Sequence, residues 1–368
     1  MSRTAKAVVC REWNAPLQVE EIRVDPPKHG EITIKLAACG VCHSDLSAAT
    51  GQIRFPPPVV LGHEGAGVVV EVGEGVTEFK VGDHVVSSFI YMCGKCRYCT
   101  QGRPVLCEQS AKALYTLPDG TVRTYDADGK PLNVFGGVGV MAEYATLHVN
   151  NAVKIDSDIP LSVAALVGCA VMTGVGSVFN TAQLKPGSTA AVFGCGGVGL
   201  NVIQGCVIAG AETIIAIDTN DEKLELARKF GATHTVNATR EEDVAKAIKK
   251  LTGGVDYAFE CVGVGKVVEQ AYNSLSRGGT AVSMGVPSPA DQTSFRTLSL
   301  PADERTLKGS WYGSARPQHD FPRLLSLYRR GKLRLDELVT RTYSIDEAVQ
   351  AFEDLKSGRN ARGVIVFD

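Results

Sequence analysis

The chain has 368 residues, 44% hydrophobic and 21% charged, with a formal net charge of −2. That length exceeds the roughly 250–300 residues at which a single core stops growing, so two domains are expected in a soluble globular protein. The charge balance gives no global pull towards DNA, RNA or anionic membranes.

The first residues, MSRTAKAVVCREW, hold an apolar run cut off by Arg11 and Glu12, too short for a signal-peptide core. Eleven cysteines without an export signal favour metal ligands and free thiols over a disulfide framework, and an odd number cannot pair completely. A cytoplasmic location is the expectation. The runs VEEIRV, EITIKLAAC and GAGVVVEVG are strand-like and bounded by Pro, Gly or Asp, and FKVGDHVVSS continues them. Strands at such short intervals predict a compact, barrel-like β domain. In the loop that follows, Cys93, Cys96, Cys99 and Cys107 read CGKCRYCTQGRPVLC. Thiolates at that spacing close a tetrahedral shell around one Zn²⁺ ion. Such a cage would order the long loop 93–139. Free thiols or a nucleic-acid-binding zinc ribbon are the alternatives. A ribbon pairs two CxxC knuckles roughly 15–20 residues apart, whereas these cysteines are crowded and the chain is not basic.

From about Leu161 the rhythm changes. TAAVF, TIIAID, THTV, VDYAFE and TAVSMGV are strand-like, and LNVIQGCVIAG, EKLELARKFG, EEDVAKAIKKL and KVVEQAYNSL between them are helical. Alternation of this kind implies a parallel sheet covered on both faces. Pro186 to Ala211 carries no charge and has the length of a membrane span, but its glycines, Asn201 and Gln204 favour a buried strand, turn and helix. The last segment holds helix-like DFPRLLSLYRRG and DEAVQAFEDLKSG, then strand-like RGVIVF.

Gly194, Gly196 and Gly199 form GxGxxG between a predicted strand and helix. The three permit, in turn, a tight turn, close approach of a pyrophosphate, and close helix–strand packing. Asp218 ends the next strand, 19 residues after Gly199. A carboxylate there accepts hydrogen bonds from the adenosine ribose and repels a 2′-phosphate, which favours NAD over NADP. Three further groups lie apart: Cys42 in CGVCHSD, His63 in LGHEGAG and Cys169 in LVGCAVMTG. A lone buried Cys is usually a small hydrophobe. Together, two thiolates and one imidazole would leave a fourth zinc position open for water or substrate. One structural and one catalytic zinc are therefore expected.

GHEGAG, the CGKCRYC…C loop, GCAVMTG and GCGGVG together resemble the zinc-dependent medium-chain alcohol dehydrogenases, and the likeness runs from Ala7 to Phe367. The resemblance implies an α/β fold. A GroES-like, β-rich catalytic domain would take residues 1–170 and 314–368, including the structural-zinc loop 93–107. A Rossmann domain with a doubly wound parallel sheet would take 171–313. It also implies that Cys42, His63 and Cys169 hold the catalytic zinc, with Glu64 nearby and Asp45 orienting the His63 ring. Ser44 would take the proton of the alcohol. His43 would sit near the coenzyme pyrophosphate, and Arg362 would pair with it. Gly194, Gly196, Gly197, Val198 and Gly199 would cradle the coenzyme. Asp218 and Lys223 would hold its adenosine ribose, and Val262 and Val286 would contact it further along. Ile53, Phe89, Phe135, Val286 and Trp311 would line an apolar pocket suited to a primary aliphatic or aromatic alcohol.

The implied reaction is reversible hydride transfer from an alcohol to NAD⁺, in a homodimer or homotetramer with two zincs per subunit. Three positions bear on the subclass. Ser47 stands where well-known animal members have a relay histidine. Ala111 stands where the S-hydroxymethylglutathione class has an arginine. Cys169 stands where polyol dehydrogenases typically have glutamate. An enzyme oxidising a thiol–formaldehyde adduct is the nearest rival. A non-catalytic NAD- or zinc-binding protein would need neither an open metal position nor a relay hydroxyl.

Overall fold

The computed structural model describes residues 1–368. The chain divides into two compact units. The first comprises Met1–Cys169, Arg316–Leu327 and Leu335–Asp368; the second comprises Ala170–Ala315 and Tyr328–Arg334. The chain end returns to the first unit because the strand Arg362–Val366 pairs antiparallel with Glu31–Val41, Gly363 opposite Val41.

The first unit is built on two sheets. One has five strands in the order Thr124–Tyr125, Gln18–Val24, Arg3–Cys10, Val59–Val60, Asn133–Val134. The other has seven, ordered Ala152–Ile155, His84–Ser87, Gly65–Val72, Glu31–Val41, Arg362–Val366, Val339–Tyr343, with Tyr144–His148 also paired to Glu31–Val41. Position in the sheet explains the sequence pattern. Glu31–Val41 has partners along both edges and is buried almost throughout, so its apolar run barely alternates. Gln18–Val24 packs its core face through Ile22 and Val24 and keeps Glu21 and Arg23 in solvent.

The loop 93–139 is tied down by more than its cysteines. Arg123, only 2% exposed, donates to the buried carboxylate of Glu31 and to Asp119, and Arg11 bonds Asp126. Such pairs survive burial because each charge meets a hydrogen-bonded partner.

The second unit is a parallel six-stranded sheet ordered His234–Asn237, Thr213–Asp218, Thr189–Phe193, Val255–Glu260, Leu275–Ser283, Thr306–Gly309. Strand order reverses between Thr189–Phe193 and Val255–Glu260, and the crevice at such a switch point is where α/β sheets bind ligands. Helices Gly197–Ala209, Asp221–Lys229, Val244–Thr252 and Gly265–Asn273 connect the strands. The Pro186–Ala211 segment resolves into the strand Thr189–Phe193, the glycine turn and the helix Gly197–Ala209. No single helix in the protein is long and apolar enough to cross a membrane.

Candidate metal and coenzyme sites

In the first unit Cys42, His63, Glu64 and Cys169 converge, each offering a ligand atom within 4.8 Å of the others, and all four residues are buried. Backbone packing brings them together. Cys42 ends the run from Glu31–Val41 and caps the helix His43–Ala49. His63 and Glu64 directly precede the strand Gly65–Val72, which pairs with Glu31–Val41. Ser87 Oγ accepts from Gly65 N and donates to the His63 carbonyl, at 2.9 and 3.2 Å, fixing the approach to that strand. Cys169 follows the helical turn Ala165–Gly168. A Cβ on Gly168 would lie 3.0 Å from Ser87 O and 3.3 Å from Glu64 Cα, a tight fit against the segment that carries His63 and Glu64.

The donors suit a soft divalent cation. His63 Nδ1 lies 3.2 Å from Asp45 Oδ1, which also accepts from Gly62 N. The other ring nitrogen, Nε2, is buried with no protein partner. Leaving such a nitrogen unsatisfied is costly, and two thiols beside it complete a zinc-like donor set. A hydrogen bond from Cys169 holds the Cys42 thiol well below its ordinary range, with Arg362 adding to the effect, while the same bond and burial push Cys169 up. One thiolate is thus stabilised within the pair. Burial pushes the Glu64 carboxyl up to about 7, and Arg362 pulls the other way.

Arg362 lies 4% exposed and donates to Glu64 Oε1 at 2.6 Å and to the Val41 carbonyl at 3.1 Å. This guanidinium, which the resemblance directs to a pyrophosphate, is buried beside the Glu64 carboxylate. Register explains the position: Gly363 opposite Val41 sets Arg362 next to Cys42. Ser44 Oγ sits half-buried, 3.7 Å from Cys42 Sγ. His43 is exposed at the helix start. Ser47 Oγ donates to Gln52 Oε1 at 3.3 Å. Phe89 meets the His63 ring edge-on at 5.3 Å, and Phe135 lies at 4.9 Å from it. Phe135 is also 4.2 Å from Phe55, so it belongs to the core as much as to a pocket wall. Ile53 packs half-buried on the same core.

Gly40 carries a role its sequence position does not advertise. A Cβ there would lie 2.1 Å from Glu64 Oε2, so the carboxyl owes its place to a missing methyl group. A glycine two residues before Cys42 in CGVC was the available signal.

The four-cysteine loop gathers Cys93, Cys96, Cys99 and Cys107, with sulfurs within 4.8 Å of one another. The short helices Arg97–Thr100 and Pro104–Leu106 fold the loop so that backbone amides face the sulfurs. Cys96 N donates to Cys93 Sγ and Cys93 N to Cys107 Sγ, both at 3.3 Å. Backbone N–H groups of Cys99 and Glu108 hold the Cys96 thiol down at about 6. Four sulfurs this close with amides aimed at them fit a closed thiolate cage. Ala111 is exposed in the turn Ser110–Ala113.

In the second unit the glycine motif forms the turn between the strand Thr189–Phe193 and the helix Gly197–Ala209. Gly194 has φ +90°, which disfavours a side chain. A Cβ on Gly199 would lie 1.8 Å from the Gly194 carbonyl, whereas one on Gly196 would meet no protein atom within 4 Å. That open face, at a helix start, suits a phosphate. Gly197 and Val198 lie in the first turn. Asp218 ends the strand Thr213–Asp218; Oδ2 accepts from Cys195 N at 2.7 Å, and Oδ1 accepts from Thr219 N and Asn220 N. Lys223 sits half-buried on the helix Asp221–Lys229. Val262, Val286 and Trp311 are 50%, 39% and 50% exposed, unusual for such large apolar groups.

Residues 28–157 match the family profile described as alcohol dehydrogenase GroES-like domain, and residues 197–330 match zinc-binding dehydrogenase. The NDMA-dependent alcohol dehydrogenase of Amycolatopsis methanolica is 42% identical over 369 residues, covering 98% of each chain. The chain belongs to the zinc-dependent medium-chain alcohol dehydrogenases. Within that family it is also 38% identical to the S-(hydroxymethyl)glutathione dehydrogenase of Paracoccus denitrificans, over 98% of this chain and 99% of the relative. The fold matches the crystal structure of benzyl alcohol dehydrogenase from Acinetobacter calcoaceticus with a TM-score of 0.94, at 32% identity over the whole of both chains.

Proposed function

We propose that the protein is an NAD-linked alcohol dehydrogenase that acts on primary aliphatic or aromatic alcohols and holds two zinc ions per subunit. The buried convergence of Cys42, His63 and Cys169, with His63 Nε2 unpartnered, carries the reading. Those three would hold the catalytic ion, and Cys93, Cys96, Cys99 and Cys107 the structural one. Zinc in the first site supplies a Lewis acid for a substrate oxygen.

The chain's own residues do the rest. Asp45 fixes the ring so that Nε2 faces the two sulfurs, which also raises its basicity. Phe89 and Phe135 wall the imidazole and keep water from it. Ser44 Oγ, half-buried beside Cys42, is the group that accepts the hydroxyl proton of the alcohol. With Ser47 in place of a histidine, that proton passes to water or to a base outside the helix His43–Ala49.

The adenosine ribose is assigned to Asp218 and the pyrophosphate to the open face at Gly196. Asp218 supports NAD over NADP, since a 2′-phosphate would meet a carboxylate. Ile53, Phe89 and Phe135 are the proposed alcohol-binding groups of the first unit. Benzyl alcohol dehydrogenase, as named, is consistent with an aromatic substrate. The S-(hydroxymethyl)glutathione dehydrogenase relative favours a second reading, a thiol–formaldehyde adduct as substrate, but Ala111 offers that adduct no cation. A cytoplasmic location accords with eleven cysteines that are all free. A homodimer or homotetramer accords with the edge strand Thr306–Gly309, whose outer side pairs with no strand in the chain.

The test is a screen of NAD⁺ and NADP⁺ reduction across hexanol, benzyl alcohol, sorbitol, and formaldehyde with and without glutathione or mycothiol. Elemental analysis runs beside it. Activity on hexanol or benzyl alcohol with NAD⁺ and two zincs per chain is expected. Equal kcat/KM on sorbitol, or turnover only with a thiol adduct, refutes the substrate assignment.

A further inference from the structure

Glu260 ends the strand Val255–Glu260 next to the switch point and is 1% exposed. Its side chain is committed to backbone. Oε1 accepts from Val262 N at 2.7 Å and from Gly263 N at 2.6 Å, and Ser283 Oγ donates to Oε2 at 3.3 Å. Its carbonyl accepts from Met284 N and Gly285 N, at 3.0 and 3.2 Å. One residue thus ties the turn after its own strand to the turn after the neighbouring strand Leu275–Ser283.

The tied turns are packed without slack. Gly263 has φ +81°, and a Cβ there would lie 2.7 Å from the Val286 carbonyl oxygen. A Cβ on Gly285 would lie 2.0 Å from Gly263 N, and one on Gly194 would lie 2.8 Å from a Val262 methyl. The turn at Val262 therefore abuts both the glycine motif and the Val286 turn. Val262 and Val286 nevertheless leave large apolar faces in solvent, at the carboxyl ends of parallel strands. Packing alone would be served as well by an apolar residue at 260, since burying a carboxylate is costly unless hydrogen bonds compensate it. Charge-assisted bonds to two successive amides fix a turn more firmly than neutral ones.

We propose that Glu260 is a positioning residue for the coenzyme: its carboxylate locks the Val262–Gly263 turn, and with it the nicotinamide half of the binding crevice. The inference rests on the reading that the second unit takes a nicotinamide dinucleotide. Asp218 lies on the other side of Thr189–Phe193 from Glu260, so the two acids serve opposite halves of a dinucleotide laid across the switch point. A ligand that is only the adenosine half, such as AMP, should not sense Glu260.

The experiment titrates NAD⁺ and AMP into zinc-loaded wild type, Glu260→Ala, Glu260→Gln and Ser283→Ala, with steady-state kinetics alongside. Glu260→Ala, which removes both amide bonds and the Ser283 contact, is expected to weaken NAD⁺ by roughly tenfold while AMP affinity holds. KM for NAD⁺ should rise more than kcat falls. Glu260→Gln keeps an oxygen for both amides and should restore NAD⁺ affinity to within about threefold. Ser283→Ala removes only the contact that orients the carboxylate; an NAD⁺-only loss of about twofold there carries the test if Glu260→Ala fails to fold. Wild-type affinity for NAD⁺ in Glu260→Ala and Ser283→Ala, or equal losses for NAD⁺ and AMP, would overturn the inference. A wild type that binds neither ligand refutes the coenzyme reading itself and this inference with it.

Discussion

Replacing Arg362 with methionine would leave the Glu64 carboxylate without its cation. The two side chains are 4% and 0% exposed, and Nη2 and Oε1 are 2.6 Å apart. At an effective dielectric of about 20 and roughly 4 Å between charge centres, the attraction is about 4 kcal/mol. Removing one partner of a buried pair costs about 3–5 kcal/mol by a separate measure, so the two agree. For a domain of this size that is a fall in Tm of roughly 10 °C. Glu64→Gln removes the charge from the other side, and the double variant should recover about 2–3 kcal/mol of the summed single losses. The pH dependence has a definite sign. Burial already places the Glu64 carboxyl at about 7 with Arg362 present. Losing the cation raises it further, and a protonated carboxyl needs no partner. A raised folded-state value stabilises the fold fully at low pH and less as pH climbs through it. The gap in Tm between Arg362→Met and wild type should therefore be smaller at pH 6 than at pH 8. The assay is a thermal and urea melt of the four proteins at both pH values, with metal content matched. Strict additivity of the two single losses, or a gap that widens on acidification, would refute the reasoning.

Cys96→Ser should leave one zinc per chain instead of two and lower Tm, with the loop 93–107 becoming the first site of proteolysis, since metal binding couples to folding. An unchanged zinc content would show that the cage does not hold the ion. Asp45→Asn should speed zinc loss to a chelator by about 10–100-fold, because the carboxylate that orients His63 becomes a neutral amide; equal release rates argue against that role. Asp218→Ser should weaken NAD⁺ and reduce rejection of NADP⁺, and an unchanged NAD/NADP ratio of kcat/KM would contradict the ribose assignment. Ser47→His should alter the pH–rate profile by placing a titrating ring on the helix that carries Ser44; superimposable profiles would mean that the proton leaves by another path.

What could be read before the fold was known follows from how local each signal is. The four crowded cysteines and the glycine turn are complete within about twenty residues each, and the structure gathers both sets. Cys42, His63 and Cys169 are each weak signals alone; their donor types suggest one open zinc set and the family resemblance joins them, while strand pairing between Glu31–Val41 and Gly65–Val72 brings Cys42 and His63 together. The Glu64–Arg362 pair spans 298 positions, so no local pattern reports it. Strands were legible where β-branched runs are buried, as in Thr213–Asp218, and less so at edges. Thr306–Gly309 is a four-residue edge strand with Lys308 exposed and has no apolar run to betray it. Leu275–Ser283 starts five residues ahead of the run TAVSMGV, because Arg277 and two glycines mask its beginning. The cysteine spacing accounts for part of the order in the loop 93–139; the buried Glu31–Arg123 pair, which joins segments 92 residues apart, accounts for more and leaves no local pattern.

Asp218 has both carboxylate oxygens engaged before any ligand arrives, with one oxygen on Cys195 N and the other on the two amides that follow it. If it also selects the coenzyme as proposed, the same side chain would be both selector and buttress. Redesign towards a phosphorylated coenzyme by simply deleting this acid would slacken the glycine turn along with the discrimination. A replacement that relieves repulsion yet still offers Cys195 an acceptor, such as asparagine, is the economical starting point for such engineering.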